Sequence, residues 1–218
     1  MTTTLTNGRS TTEKAPDVDR PIPVTRRRID RVLIGLGVAV AAVLVVAGGL
    51  LTWGSNFAED YVGDELAAQN ISFPDAAALE EEGRGDLVGF AGERVTSGEH
   101  AEAYASYIAG HVANIGGGQT YADLGGPERA ANAAVAEATA SDASAEEVAA
   151  LQEEAATLTA QRDTIFRGEV LRGTLLNAYA WSTLGRIAGI AAVAAFVGAA
   201  VMALLAGAGV LHVRRATA

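Results

Sequence analysis

Four residues with functional side chains, His100, Tyr104, Tyr107 and His111, recur at spacings of four, three and four. In a helix this spacing places all four side chains on one face. Imidazole and phenol groups on one face predict a surface for a ligand or a protein partner. The two histidines lie roughly 16 Å apart along a helix axis, at about 1.5 Å per residue, which is too far for one metal ion. The competing interpretation is that the rings pack on a neighbouring helix and keep their polar tips in water.

Other motifs that could carry chemistry each lack a necessary part. His100 and Glu102 match the H-x-E string of zinc deaminases, but a chain without cysteine has no P-C-x-x-C partner. The glycines at 116–118 and 125–126 match neither phosphate-binding fingerprint and indicate helix termination. The acids at 80–82 lack the alternating spacing of an EF-hand loop. The sequence therefore predicts no catalytic residue, no metal site and no cofactor.

Helices must position these residues, because no alternating run of β-branched residues supports a sheet. The helix that carries the four-residue face is predicted from about Gly98 to Ile115. Ser97 is its N-cap, and the glycines at 116–118 end it. A further helix over 121–139 is expected to be interrupted at Gly125-Gly126-Pro127, with Pro127 as the first residue of a renewed helix.

Two apolar segments predict transmembrane helices. Val32–Leu51 and Ile187–Leu211 contain no charged residue, and about 20 helical residues span the hydrocarbon of a bilayer. The first helix is expected to continue outward to about Gln69. The last helix is predicted to begin at the capping box Ser144-x-x-Glu147 and to run through the second apolar segment, broken at most around Gly168 and Gly173. The fold class is thus all-α, with two transmembrane helices flanking an extracytoplasmic helical bundle.

Charge predicts the orientation of the chain. Residues 1–31 carry seven basic groups and four acidic ones, whereas residues 53–186 carry twenty-two acids and seven arginines, a net charge of −15. Basic flanks stay inside, so both termini are expected in the cytoplasm. The predicted organisation is a disordered cytoplasmic tail (1–31), transmembrane helix 1 (32–52), an extracytoplasmic acidic helical domain (53–186), transmembrane helix 2 (187–211) and a cytoplasmic tail (212–218). A cleaved signal peptide is the alternative for the first span, but its apolar run is longer than such peptides have.

The composition excludes several classes of protein. A net charge of −10 disfavours nucleic acid as a partner, because phosphate binding needs a basic face. The absence of cysteine excludes disulfides, zinc ribbons and thiol nucleophiles. Neither apolar segment holds an ionisable residue, which disfavours a channel or carrier.

Small residues recur in both apolar segments and would allow close approach of helix backbones. They are Gly37, Ala41 and Gly49 in the first segment and Ala191, Ala195, Ala199, Ala203 and Gly207 in the second. These residues predict transmembrane packing of the two helices with each other or with another protein. The alternative is that they reflect an alanine-rich composition.

Several longer stretches together resemble a family of actinobacterial two-span membrane proteins. They are QNISFP (69–74), AEAYASYIAGHVANI (101–115), TYADLGGPERAA (120–131), QRDTIFRGEVLRG (161–173) and AYAWSTLGRIAG (178–189). Members of that family often carry the label aromatic ring-opening dioxygenase, so the resemblance implies a helical membrane protein and, through the label, a metal-dependent oxygenase. Non-haem iron needs two histidines and a carboxylate at one point. No residue of this chain can be assigned such a role.

Three functions remain open. The first is a non-enzymatic membrane protein whose external bundle is an interaction module or accessory subunit, with the lipid bilayer and another membrane or envelope protein as partners. The second is a sensory or ligand-binding module that signals through a partner, with His100, Tyr104, Tyr107 and His111 as its candidate face. The third is the oxygenase that the family label implies.

Overall fold

A computed structural model describes residues 26–215 of the chain. Helix accounts for 87% of the described chain, and that part contains no strand, so the all-α class is confirmed. An isolated bridge joins Ser72 and Arg94. The predicted tail up to residue 25 and the last three residues lie outside the described residues.

Residues 26–215 contain five α-helices and one 3-10 helix. Two of them, α1 and α5, are long and apolar enough to cross a membrane. The elements are α1 (Arg26–Ala68), α2 (Ala76–Glu81), a 3-10 helix (Gly85–Phe90), α3 (Gly98–Gly116), α4 (Tyr121–Ala140) and α5 (Ala145–Arg215).

Helix α1 begins earlier than the sequence predicts and ends where it predicts. Residues 26–31, expected within the disordered tail, are helical. The reason is that arginine favours helix and that extending an existing helix needs no new nucleus. At the other end the helix stops at Ala68, one residue before the expected Gln69.

The predicted limits of α3 and the predicted start of α5 are confirmed to within a residue or two, while α5 ends at Arg215, four residues beyond the expected Leu211. The Ser97 hydroxyl accepts a hydrogen bond from the backbone N–H of His100 at 3.2 Å, and Gly117 adopts the left-handed conformation that ends α3. Ser144 accepts from the N–H of Glu147 at 3.2 Å, and α5 then runs without a break for 71 residues.

Helix α4 differs from its prediction because Pro127 does not interrupt it. The helix is continuous from Tyr121 to Ala140. Proline restricts the preceding residue through that residue's N–H and Cβ, and Gly126, which has no Cβ, relieves part of this restriction. A complete capping box between Thr120 and Asp123, which sequence reasoning missed, fixes the start of α4.

The chain forms two compact units, one from the described residues of 1–41 and 200–218, the other from 42–199. In the first unit the two long helices meet through small residues. A Cβ placed on Gly37 would lie 3.6 Å from the Cβ of Ala206. At Gly209 an added Cβ would meet Ile34 at 2.9 Å, so this glycine permits a close approach.

The larger unit contains the core. Its main cluster joins α1, α3, α5 and the chain between α1 and α3, and consists of Val62, Leu66, Phe73, Val95, Ala101, Ala105 and Leu175. A second cluster of Val112, Leu124 and Ile165 joins α3, α4 and α5. Because residues distant in sequence meet in both clusters, burial of their apolar surface holds the helices of this unit together.

A polar contact adds to the attachment of α4 to α5. The Arg162 guanidinium pairs with Glu128 and lies 3.9 Å from the ring centre of Tyr121. The Thr159 hydroxyl donates to Glu128 at 3.0 Å. These two hydrogen bonds, from Thr159 first and Arg162 second, lower the pKa of Glu128.

Candidate functional site

The four-residue face of α3 is covered by Phe73 and Phe90 from the preceding segment. Together the rings form one packed series, called here the aromatic layer: His111, Tyr107, Tyr104, Phe73, Phe90 and His100. Successive ring centroids in this order lie 4.5, 5.4, 5.2, 5.3 and 5.8 Å apart. These separations are typical of packed aromatic pairs. The layer therefore has the form of a packing surface, and sequence reasoning missed both phenylalanines because no local pattern marks them.

The two histidines sit at opposite ends of this layer, each beside its own carboxylate. His100 Nε2 lies 3.4 Å from Glu93, and its Nδ1 accepts a hydrogen bond from the N–H of Thr96 at 3.3 Å. His111 Nε2 lies 4.0 Å from Glu82. Because Nδ1 of His100 accepts, the proton of its neutral ring belongs on Nε2, toward Glu93.

The two tyrosines in the middle of the layer are buried or half-buried. Burial, followed by a hydrogen bond to Glu82, raises the pKa of Tyr107 to about 12. Burial alone raises the pKa of Tyr104. Both phenols therefore keep their protons to a higher pH than an ordinary tyrosine does, which suits packing and hydrogen bonding rather than proton transfer.

Arg84 fastens the segment that covers the layer. Its guanidinium donates two hydrogen bonds to Asp86, at 2.9 and 2.8 Å, and reaches both the carbonyl and the hydroxyl of Ser106 on α3. The hydrogen bonds from Arg84 lower the pKa of Asp86, and those to Asp86 raise the pKa of Arg84. A bidentate contact of this kind fixes geometry as well as charge. Sequence reasoning missed Arg84, since its partner on α3 lies 22 residues away.

The histidines are not brought together at one point. Among the described residues no three histidine, cysteine, aspartate or glutamate side chains form a group that could hold a metal ion. The arrangement instead offers a half-exposed edge at His111, where an imidazole, a phenol and Glu82 meet.

The small residues of the apolar segments fall only partly on the contact between α1 and α5. Gly37 and Ala199 are buried, Ala41, Ala191 and Ala195 are half-buried, and Gly49, Ala203 and Gly207 are exposed. A spacing of four advances about 40° per step around a helix of about 3.6 residues per turn, so the ends of such a stripe leave the face. From residue 185 onward, the buried small residues of α5 recur every seventh position instead, at Gly185, Ala192, Ala199 and Ala206. Contact with another protein stays a prediction for the exposed members.

Exposed apolar side chains continue beyond the apolar segments. On α5, Phe166 and Val170 are 50% and 51% exposed, and the Phe166 ring contacts Tyr121 at 5.6 Å. These three residues are called here the distal patch. Val170 precedes Ile187 by 17 residues, or about 25 Å of helix.

Comparison with protein-family models, with curated proteins and with solved structures finds no match to this chain. Its function must therefore be argued from the sequence and the geometry above.

Proposed function

We propose that the protein is a two-span membrane protein whose acidic helical domain lies outside the cytoplasm and binds another membrane or envelope protein. In this proposal α1 and α5 cross the bilayer, both termini are cytoplasmic, and the protein acts as a non-enzymatic accessory subunit. Membership of the actinobacterial two-span family, suggested by the residue resemblance, is part of the same proposal.

The distal patch is the observation that carries this proposal. Large apolar side chains that stay half-exposed in water are costly, and contiguous ones mark interaction surfaces. The patch lies too far along α5 to be covered by the lipid around the apolar segment. Its neighbours on the same helix, Asp163, Arg167 and Glu169, are charged, which gives the apolar centre a polar rim as protein interfaces have.

Site-specific photocrosslinking tests the proposal in the native membrane. A photoreactive side chain at position 166 or 170 should give one discrete adduct, whereas the same side chain at Thr164, an exposed residue of α5 outside the patch, should not. Phe166→Asp with Val170→Asp should abolish co-purification of that partner in mild detergent. Thr164→Asp is the matched control. Retention of the same partners by the double variant, or the absence of any adduct, would overturn the proposal.

A sensory module is the second candidate, and the continuity of the long helices favours it. Both α1 and α5 run unbroken from an apolar segment into the acidic region, so a ligand bound there could displace a membrane helix. His111, which is exposed at the edge of the aromatic layer, is its test position. A small solute that raises the thermal stability of the parent by binding at this edge should not raise the thermal stability of the His111→Ala variant.

A further inference from the structure

An apolar groove lies between α1 and α5, in the part of the two helices that begins about 9 Å beyond the apolar segments. Its volume is about 550 Å³, within the range of small-molecule pockets. Its floor is made by Val62, Leu66 and Leu175, which belong to the main core cluster, and Tyr61 and Trp181 form walls. Both wall residues remain more than half exposed, so no described element covers the groove.

The groove exists because α1 and α5 separate at this point. Nearer the apolar segments the two helices touch, since a Cβ on Gly185 would lie 3.0 Å from that of Ala58. At the level of Tyr61 and Trp181, the start of α3 packs on both helices. Gly98 packs against Ser182 of α5, and the carbonyl of Thr96 lies 3.5 Å from the Cβ position of Gly63 on α1. Because α3 packs on both helices here, α1 and α5 do not close on each other, and the groove remains between them.

A row of exposed rings connects the groove with the end of the first apolar segment. Trp53, Phe57 and Tyr61 follow each other on α1 with ring centroids 5.7 and 6.0 Å apart. Tyr61 lies ten residues beyond Leu51, or about 15 Å, and Trp181 lies six residues before Ile187, or about 9 Å. Tryptophan and tyrosine favour the boundary between lipid and water. The apolar surface is thus continuous from the lipid-facing helix to the groove.

The polar rim of the groove indicates the charge of its occupant. Glu65, Gln69, Thr174 and Asn177 line the rim, and among them only the glutamate is charged. Residues 53–186 carry a net charge of −15. An anionic headgroup would be repelled there, whereas a zwitterionic one would find hydrogen-bonding groups.

We propose that this groove binds a hydrocarbon chain of a zwitterionic phospholipid drawn from the adjoining leaflet, with the headgroup at the rim. The inference rests on the membrane location given under the proposed function. It adds a lipid-binding site that the partner-binding role does not require. Tyr61 and Trp181 flank the chain, and the floor residues contact it.

Fluorescence quenching of Trp181 tests this directly. The chain has two tryptophans, so Trp53→Phe leaves Trp181 as the only one. The full chain is placed in phosphatidylcholine nanodiscs whose lipid carries bromine at the chain ends. In an undisturbed bilayer those ends lie about 15 Å inside the hydrocarbon edge, and bromine quenches only at contact range. Loss of Trp181 fluorescence, relative to unbrominated lipid, is therefore expected only if a chain enters the groove.

Two matched variants locate the effect. Thr174→Phe fills the groove from its rim, and Thr164→Phe makes the same change on α5 outside it. Both threonines are exposed, and each hydroxyl donates only to a carbonyl of its own helix. Thr174→Phe should remove most of the quenching, while Thr164→Phe should keep it. Equal quenching in both variants, or none in either, would overturn the proposal.

Separate readouts distinguish the remaining outcomes. A spin label on the lipid headgroup should quench Trp181 in every variant and so report insertion. If that signal is absent and alkaline washing releases the protein from native membranes, the proposed membrane location fails as well. If a co-purified protein, and not lipid, shields Trp181 from the bromines, the groove is a protein interface and the lipid proposal is wrong.

Discussion

At the scale of single residues, two glycines set how closely α3 approaches α5. Gly98 faces the Cβ of Ser182, and Gly168 faces a methyl group of Val112. A serine Cβ is fixed to the backbone, whereas a valine methyl can move by rotation or a small shift. Gly98 should therefore tolerate an added Cβ less well than Gly168, although nothing in its local sequence distinguishes it from other glycines of the chain.

Replacement of Gly98 by alanine should destabilise the protein by about 1–3 kcal/mol, the usual cost of overpacking. Thermal unfolding in mild detergent measures this. Ser182→Gly in the same chain should restore much of the loss, because it removes the opposing Cβ. Gly173→Ala is the control, since nothing lies within 4 Å of its Cβ position and alanine favours helix. Equal stability of Gly98→Ala and Gly173→Ala would contradict the packing described.

Tyr107 should make stability depend on pH in the alkaline range. Its pKa is raised from 10.0 to about 12, first by burial and then by Glu82. The folded state thus holds the proton more tightly than the unfolded state. The resulting stabilisation is complete below pH 10.0 and is lost as the pH rises through about 12.

An ultraviolet absorbance titration of parent and Tyr107→Phe checks this expectation. The parent should show a tyrosine that ionises near 12, and the variant should lack that step. The phenylalanine ring keeps the aromatic layer packed, so only about 1 kcal/mol of stability is expected to be lost with the hydroxyl. Tyr61→Phe, at an exposed tyrosine, should leave the step in place. An unchanged titration in Tyr107→Phe would show that the phenol is not held as described.

At the scale of elements, the close contact of α1 with α5 in the unit that contains residues 26–41 can be captured covalently. Gly37→Cys with Ala206→Cys places two Cβ atoms 3.6 Å apart, within the range for a disulfide of about 3.5–4.5 Å. The chain has no native cysteine to compete. Mild oxidation should therefore link the two helices, as seen on a non-reducing gel after cleavage of the intervening chain. Gly35→Cys with Ala206→Cys should not link, since nothing lies within 4 Å of the Gly35 Cβ position.

At the scale of the whole molecule, the charge distribution predicts which parts cross the membrane. Single cysteines at positions 10, 146 and 217 would report this in intact cells. An impermeant maleimide should label Glu146→Cys directly, and Ser10→Cys and Thr217→Cys only after permeabilisation. The reason is that arginine-rich flanks stay in the cytoplasm while the acidic segment crosses. Labelling of Ser10→Cys in intact cells would show that the N-terminus lies outside the cytoplasm and would contradict the predicted topology.

The sequence by itself determined the features that depend on near neighbours. The limits of α3 follow from Ser97 and the glycines after residue 115, because capping hydrogen bonds close within a few residues. The unbroken course of α5 follows from its apolar period and from the absence of proline. The same local reasoning failed at Pro127, where α4 continues without a break and Gly126, which has no Cβ, relieves part of the restriction that proline places on the residue before it.

Only the tertiary structure decided what each face meets. Phe73 and Phe90 cover the aromatic layer, and Arg84 donates a hydrogen bond to the Ser106 carbonyl. These contacts join residues that lie ten or more positions apart in the sequence. On α5 the buried small residues Gly185, Ala192, Ala199 and Ala206 follow a seven-residue spacing, which differs from the four-residue stripe that the sequence suggested. Local sequence patterns indicate which residues share one face of a helix. They do not indicate which other helix packs against that face, because long-range contacts depend on how all the elements pack together.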